Sequence, residues 1–188
     1  MKGCNIVLNA SLRDIVIDDL EKVLAWRNQE HIRSVMFNDN IILWQQHMNW
    51  FNELKNNHYK LSKIFSIKNV DYGVININNI DEYSNRCSWG FYIGEKKAPK
   101  GTGILLGYIS LEFVFKELKF RKLCAEVIES NKISCNFHEK LGFKLEGTLR
   151  KQIKRNENYE DIYIYSLFAE EWEEKRIELK LELEERFK

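Results

Sequence analysis

The chain has 188 residues, 44% apolar and 30% charged, with a formal net charge of +1, the proportions of one globular domain large enough to bury a core. So near-neutral a balance supplies no global field for nucleic acid or a membrane surface, and any anionic ligand must be held by local groups. No apolar run approaches the ~20 residues of a membrane span and no basic-then-apolar leader opens the chain, so a cytoplasmic protein is expected.

Residues Ile6 to Arg13 alternate apolar and polar and predict a first strand. Asp18 is a good N-cap for a helix through Leu20, Val23 and Leu24 that ends near Trp26-Arg27-Asn28. A short helix is predicted around Gln29 to Phe37, and a third from about Trp44 to Asn56, with His47, Trp50, Phe51 and Leu54 at helical spacing. The period then changes to two. Leu61, Ile64 to Ile67, Val74 to Ile80 and Arg86 to Ile93 read as three strands joined by polar turns at Asn69–Asp71 and Asp81–Asn85. Connections that short produce antiparallel pairs, which separates this chain from a doubly wound nucleotide fold.

Pro99 and Gly101 punctuate the entry to an apolar helix from Gly103 to Lys119. Its apolar stripe covers most of its surface, so it must be enclosed on nearly all sides. Leu123 to Ile128 reads as a buried strand. Lys132 to Leu141 reads as a helix stopped by Gly142, and Phe143–Ile153 with Tyr159–Phe168 as a final hairpin. The tail from Glu170 is a charged helix, whose mixed charges are most often a solvated face. The order β, α, α, α, β, β, β, α, β, α, β, β, α describes an α/β (α+β) protein. One mixed, mostly antiparallel sheet of about seven strands is flanked by helices on both faces, with 1–169 as the main domain and 170–188 as a helix within or appended to it.

Cys4, Cys87, Cys124 and Cys135 form no CxxC pair, and the four histidines do not accompany them at zinc spacing, so buried or incidental thiols and no metal are expected. Gly101-Thr102-Gly103 lacks the Gly-Lys-Ser/Thr of a phosphate-binding Walker loop, and Gly107 arrives one residue late for a dinucleotide fingerprint. A helix opened by glycines still offers free N–H groups and a positive dipole end, which suit a pyrophosphate; the alternative is a flexible turn.

Gly101-Thr102-Gly103, then Asn131-x-x-Ser134 and Glu139-Lys140-Leu141-Gly142-Phe143, set in this element order, resemble the GNAT superfamily of N-acetyltransferases. The run from Ala125-Glu126-Val127 to Thr148-Leu149-Arg150 looks like the branch that includes the ribosomal-protein N-terminal acetyltransferases. Trp26-Arg27-Asn28 and His47-x-x-Trp50-Phe51 are similar to the N-acetyltransferases of the pseudaminic acid pathway, which modify the 4-amino group of a UDP-linked 4-amino-4,6-dideoxy-N-acetyl-altrosamine.

The resemblance implies acetyl-CoA as co-substrate, with its pyrophosphate on Lys100, Gly101, Thr102, Gly103 and Ile104. Its pantetheine arm would run past Asn131 and Ser134, with Lys140 nearby and Tyr92 and Ile93 at the acetyl group. Ala98 stands where the family usually carries Arg or Gln, so Lys97 or Lys100 must supply charge. Asn131 also fits a helix cap. His138 falls where many members have a tyrosine that protonates the departing thiolate; imidazole would need a raised pKa to do so, and a packing residue is the bland alternative. Glu126 is either a base that deprotonates the substrate ammonium through water or an ion-pair partner of Arg121, Lys122 or Arg150. Arg27 can hold a diphosphate with two parallel hydrogen bonds, and Trp50, beside His47, offers a face for uracil or sugar; the alternative is that Trp50 belongs to a buried stripe.

The expectation is therefore an acetyl-CoA-dependent N-acetyltransferase acting on a nucleotide-linked amino sugar, a homodimer being possible. The alternatives are N-terminal acetylation of a ribosomal or other protein, and a non-catalytic CoA-binding or scaffold module.

Overall fold

The computed structural model describes residues 9–155 and 157–187. The elements are β1 (Ala10–Asp14), α1 (Leu20–Arg27), α2 (Glu30–Arg33), α3 (Trp44–Asn56), β2 (Leu61–Ile67), β3 (Val70–Asp81), β4 (Arg86–Ile93), α4 (Thr102–Glu112), β5 (Lys122–Ile128), α5 (Lys132–Lys140), β6 (Lys144–Arg155), β7 (Asn158–Phe168) and α6 (Ala169–Arg186). One seven-stranded sheet has the order β1-β2-β3-β4-β5-β7-β6, and every neighbouring pair is antiparallel except β4 with β5. The predicted architecture and element order are those observed.

Alternation along the strands divides the core. Ile64 and Val74 face one side with Leu20, Val23, Trp26 and Phe51 of α1 and α3. Their neighbours Phe65 and Ile75 face the other, against Leu105, Tyr108 and Leu111 of α4 and Trp172, Leu179 and Leu183 of α6. A period of two therefore gives β2 and β3 two apolar faces, and helices cover both.

Several boundaries differ from the sequence expectation. Ile6 and Leu8 of the expected first strand lie outside the described residues. Asp19 rather than Asp18 stands at the N-cap of α1, without a side-chain bond into the helix; its carboxylate instead accepts the upstream Val16 N–H at 3.0 Å and a bidentate pair from Arg13 at 2.7 Å. The Arg13 bonds hold that carboxyl well below the usual carboxylate range. The expected helix at 29–37 closes after Arg33, because arginine side chains take hold of the backbone that follows. The β2–β3 turn is the two residues Lys68 and Asn69, both at positive φ, so Asp71 belongs to β3 rather than to the turn. The single long helix expected from Gly103 is α4 followed by a π-helical turn, Phe113–Glu117.

The largest departure is the tail, where a mostly solvated helix was the expectation. Instead α6 buries Trp172, Leu179 and Leu183, and the buried Glu112 of α4 accepts from Trp172 Nε1 at 2.8 Å and from Arg176 Nε and Nη2 at 2.8 and 2.5 Å. Spacing alone did not disclose this, because the carboxylate that anchors the tail lies 60 residues away from Trp172.

Candidate active site

β4 and β5 pair only through Arg86–Lys122, Cys87–Leu123 and Ser88–Cys124. Beyond Ser88 the two strands part, which leaves one backbone edge of β4 without a strand partner. A cleft of about 720 Å³ opens there, with Trp89 to Ile93 on one wall and Glu126, Val127 and Ile128 on the other; Gly103 of α4, Asn131, Ser134 and His138 of α5, and Val35 to Phe37 also line it. The splaying of this parallel pair opens a place where a ligand can enter between strands.

At one end of the cleft the start of α4 is prepared for an anion. Gly101 sits at φ 97° as the N-cap, a conformation that only glycine adopts without strain. Among the described residues, the amides of Gly103 and Ile104 have no backbone acceptor outside the helix, and a Cβ at Gly103 would meet nothing within 4 Å. The first turn is thus open to a pyrophosphate. Thr102, expected to offer its backbone amide, is buried and spends that N–H on Pro99 O at 3.1 Å, and its hydroxyl donates to the same oxygen at 2.6 Å, so it fixes the loop. Lys100 is exposed and lies on the loop itself. Lys140 turns instead to α6, where it pairs with Glu182 at 2.7 Å.

Asn131 caps α5, its side-chain oxygen accepting the Ser134 N–H at 3.1 Å, while also lining the cleft. Its two expected uses are compatible. Glu126 is exposed on the cleft wall and makes no ion pair among the described residues; the Lys122 expected beside it pairs with Glu146 at 2.7 Å.

His138 is buried in an aromatic box of Trp89, Phe91, Phe137, Phe143 and Tyr165. Both its nitrogens are engaged. Nδ1 donates to the Ser134 carbonyl at 2.7 Å, and Nε2 accepts from Trp89 Nε1–H at 3.1 Å. A carbonyl can only accept and an indole N–H can only donate, so the neutral tautomer is imposed. Burial pushes the imidazole pKa down to about 4, opposite to what a general acid needs. In this arrangement the ring has no proton to offer the cleft.

A measurable consequence follows from that depressed value. In the unfolded chain His138 takes a proton near ~6.5, so its contribution to stability is present above that pH and is lost as pH falls towards about 4. His138→Gln is expected to flatten the stability-versus-pH curve in this window by up to about 1.4 kcal/mol per pH unit, read by urea unfolding at successive pH values. An identical slope in the variant would contradict the buried neutral histidine.

A second cavity of about 500 Å³ lies on the other face of β4 and shares Asn78, Gly90, Phe91 and Tyr92 with the cleft. Its walls are Val23 and Arg27 of α1, the 36–42 segment, Gln46, His47 and Trp50 of α3, and Val74, Asn76 and Asn78 of β3. The placement of α1 is set by close packing: the Trp26 ring lies against Gly94, where a Cβ would come within 2.2 Å of it, and Gln29 Nε2 donates to Gly94 O at 3.0 Å. The 34–42 segment is clasped by its backbone. Arg27 Nη2 donates to Asn38 O at 2.7 Å, Arg33 Nη1 to Asp39 O at 2.6 Å and Arg155 Nη2 to Ser34 O at 2.6 Å, while Asn28 exchanges two bonds with Ile42 at 2.9 Å.

Two of the residues that line this cavity each carry a buried polar atom with no hydrogen-bond partner among the described residues: Arg27 Nη1 and His47 Nε2. A buried donor or acceptor left unpaired is costly, and a site that awaits a ligand is one reason to keep it so. Burial lowers the pKa of both side chains. The His47 ring stacks on Trp50 with centroids 5.0 Å apart and planes 18° apart, so Trp50 is half-buried on the cavity wall rather than part of a closed stripe. Burial also raises the Tyr92 phenol, and nearby Arg27 opposes the shift. Ile93 closes the strand opposite Gly73.

The structure thus brings Arg27, His47, Trp50 and Tyr92 to one cavity, and Gly103, Glu126, Asn131, Ser134 and His138 to the adjoining cleft. Sequence reasoning missed Asn76 and Asn78. They are the polar alternates of an otherwise apolar strand and share a face by period two, which was the available signal. The segment 36–42 gave no such sign.

Comparison with known proteins agrees with this fold. The family model described as an acetyltransferase (GNAT) domain matches residues 10–144. An uncharacterised prophage-derived N-acetyltransferase, YokL of Bacillus subtilis (strain 168), is 29% identical over 174 residues, which cover 91% of this chain and 94% of that protein. YdaF of the same organism, provisionally named a ribosomal N-acetyltransferase, is 27% identical over 101 residues, 54% of this chain and 55% of its own. Among solved structures, the spermidine N-acetyltransferase of Vibrio cholerae in complex with CoA and spermine superposes with a TM-score of 0.82 at 18% identity, covering 87% of this chain and 98% of that one. An N-acetyltransferase of Staphylococcus aureus Mu50 gives 0.73 at 22%, covering 86% and 99%.

Proposed function

The chain belongs to the GNAT acetyltransferase family and is an acetyl-CoA-dependent N-acetyltransferase, and on that premise we propose that it acetylates the 4-amino group of a UDP-linked amino sugar. The observation that carries this reading is the lining of the 500 Å³ cavity. Among the described residues that line it, Arg27 is the one formally charged side chain; the rest are amides, aromatic rings, a neutral imidazole and apolar groups. An arginine suits a diphosphate, amides suit sugar hydroxyls, and a tryptophan face suits a pyranose or a base. A polyamine such as the spermine bound by the V. cholerae neighbour would meet a cation here and no carboxylate to balance its charges.

Acetyl-CoA supplies an activated acyl thioester. Gly101, Gly103 and Ile104 would hold its diphosphate, and Asn131 and Ser134 its pantetheine arm. The two cavities meet at Gly90 to Tyr92, so an amine entering from the Arg27 side and a thioester lying in the cleft are held side by side, which makes attack effectively unimolecular. Glu126, exposed on the cleft wall, takes the ammonium proton through water. The free edge of β4 near Tyr92–Ile93 donates N–H to the acetyl oxygen as charge develops there. A new N–C bond forms as the C–S bond breaks; the attacking nitrogen gives up its second proton to water in the cleft, and the thiolate takes one from solvent at the cleft mouth. His138 positions Trp89 and the first turn of α5 rather than supplying that proton.

The test is an acceptor panel with acetyl-CoA, following free thiol. The UDP-linked 4-amino sugar is expected to be turned over well above spermidine and above a peptide with a free N-terminus. Acetylation of spermidine or of the peptide, with none on the sugar, would overturn the reading.

A further inference from the structure

The glycine loop presents Ala98 where the family it resembles usually carries Arg or Gln, and a cation beside the backbone amides strengthens their hold on a diphosphate. The antiparallel packing of α6 on α4 brings one from the far end of the chain. Glu112 meets Arg176 near the middle of the two helices, and about one helical length further on, Arg186 lies directly over Gly101. A Cβ at Gly101 would come within 2.6 Å of Arg186 Cδ and 2.9 Å of its Nη1. The conformation of Gly101 and the lack of a side chain there thus serve two ends, since the same atom-sized space admits the arginine.

Around that contact Glu182 accepts from Arg186 Nη2 at 3.2 Å and from Lys140 Nζ at 2.7 Å. Two cations share one carboxylate, so the cluster keeps an excess of positive charge beside the open first turn of α4. Glu182 also remains paired through Lys140 when Arg186 turns to an anion. The Arg186 side chain is 40% exposed, which leaves its guanidinium reachable from solvent.

We propose that Arg186 is a cofactor-binding residue: it supplies from the C-terminal helix the cationic contact to the acetyl-CoA diphosphate. This rests on acetyl-CoA binding at the α4 glycine turn. A guanidinium forms charge-assisted bonds to phosphate oxygens and is worth most where amides already orient the anion. Lys140 then acts at one remove, by holding Glu182.

The test is calorimetric titration of the whole chain with CoA, dephospho-CoA and pantetheine, for the parent, Arg186→Ala and Arg186→Lys. The expected result is a weakening of CoA and dephospho-CoA by about tenfold in Arg186→Ala, with smaller loss in Arg186→Lys and a salt dependence shallower than the parent's. Pantetheine, which lacks the diphosphate, is expected to bind parent and variants alike. Equal CoA affinity and salt dependence in parent and Arg186→Ala would overturn the proposal while leaving the acetyltransferase intact. Loss confined to CoA, with dephospho-CoA unaffected, would move Arg186 to the 3′-phosphate and overturn it too. Failure of the parent to bind CoA would instead bring down the α4 site on which the proposal rests.

Discussion

Replacing Arg27 with methionine is expected to raise the KM for a UDP-linked acceptor roughly 10- to 100-fold while leaving the KM for acetyl-CoA near its original value. The methionine keeps much of the stem volume and removes the charge. Arg27 already spends Nη2 on Asn38 O at 2.7 Å, whereas Nη1 is buried with no partner among the described residues, so the variant loses one structural bond and one proposed ligand bond. These two losses separate experimentally. The structural bond anchors the 34–42 segment and affects every acceptor equally; the ligand bond affects only acceptors that carry a phosphate. Steady-state kinetics with the UDP-sugar and with the same amino sugar lacking its nucleotide therefore decide the matter. An equal rise in KM for both would make Arg27 a loop anchor and remove it from acceptor recognition.

Glu112→Ala is expected to lower the unfolding free energy by about 3–5 kcal/mol, the cost of leaving a buried ionic partner uncompensated. The carboxylate is buried at 4% exposure and receives three hydrogen bonds, one from Trp172 Nε1 and two from Arg176. Its removal strands an indole N–H and a guanidinium beneath α6. Urea unfolding of the whole chain measures the loss. The double variant Glu112→Leu with Arg176→Met replaces the ion pair by apolar groups of similar size and is expected to recover much of it. A single-variant loss below about 1 kcal/mol would mean that water reaches the pair and that apolar packing holds α6. Because α6 carries Arg186 to the glycine turn, Glu112→Ala is also expected to weaken acetyl-CoA binding, linking the stability of the tail to use of the co-substrate.

The placement of the elements depended on local rules, and those rules are written in the sequence. Period-two alternation in Leu61–Ile67 and Val70–Asp81 divides two cores across one sheet, and short polar turns leave antiparallel pairing as the available geometry. Gly101, followed by an apolar helix, marks the turn into α4 because its φ of 97° belongs to a residue without Cβ. Asn131 announces its cap because the bond closes within three residues.

What depended on tertiary structure were the properties that arise between distant residues. A histidine in the position of a family tyrosine reads as a proton donor until Trp89, 49 residues away, is found donating to its Nε2 and burial is found to hold it neutral. Lys140 reads as part of the cofactor motif until its partner proves to be Glu182 of α6. The tail reads as a solvated face until Glu112 is found beneath it and Arg186 of its last turn is found against Gly101. Backbone conformation is governed by neighbours a few residues apart, so sequence alone determined the order of the elements and the fold, with the glycine turn at the start of α4. Protonation, pairing and the charge of a cavity are set by whatever the fold brings within a few ångströms, and these the three-dimensional structure decided.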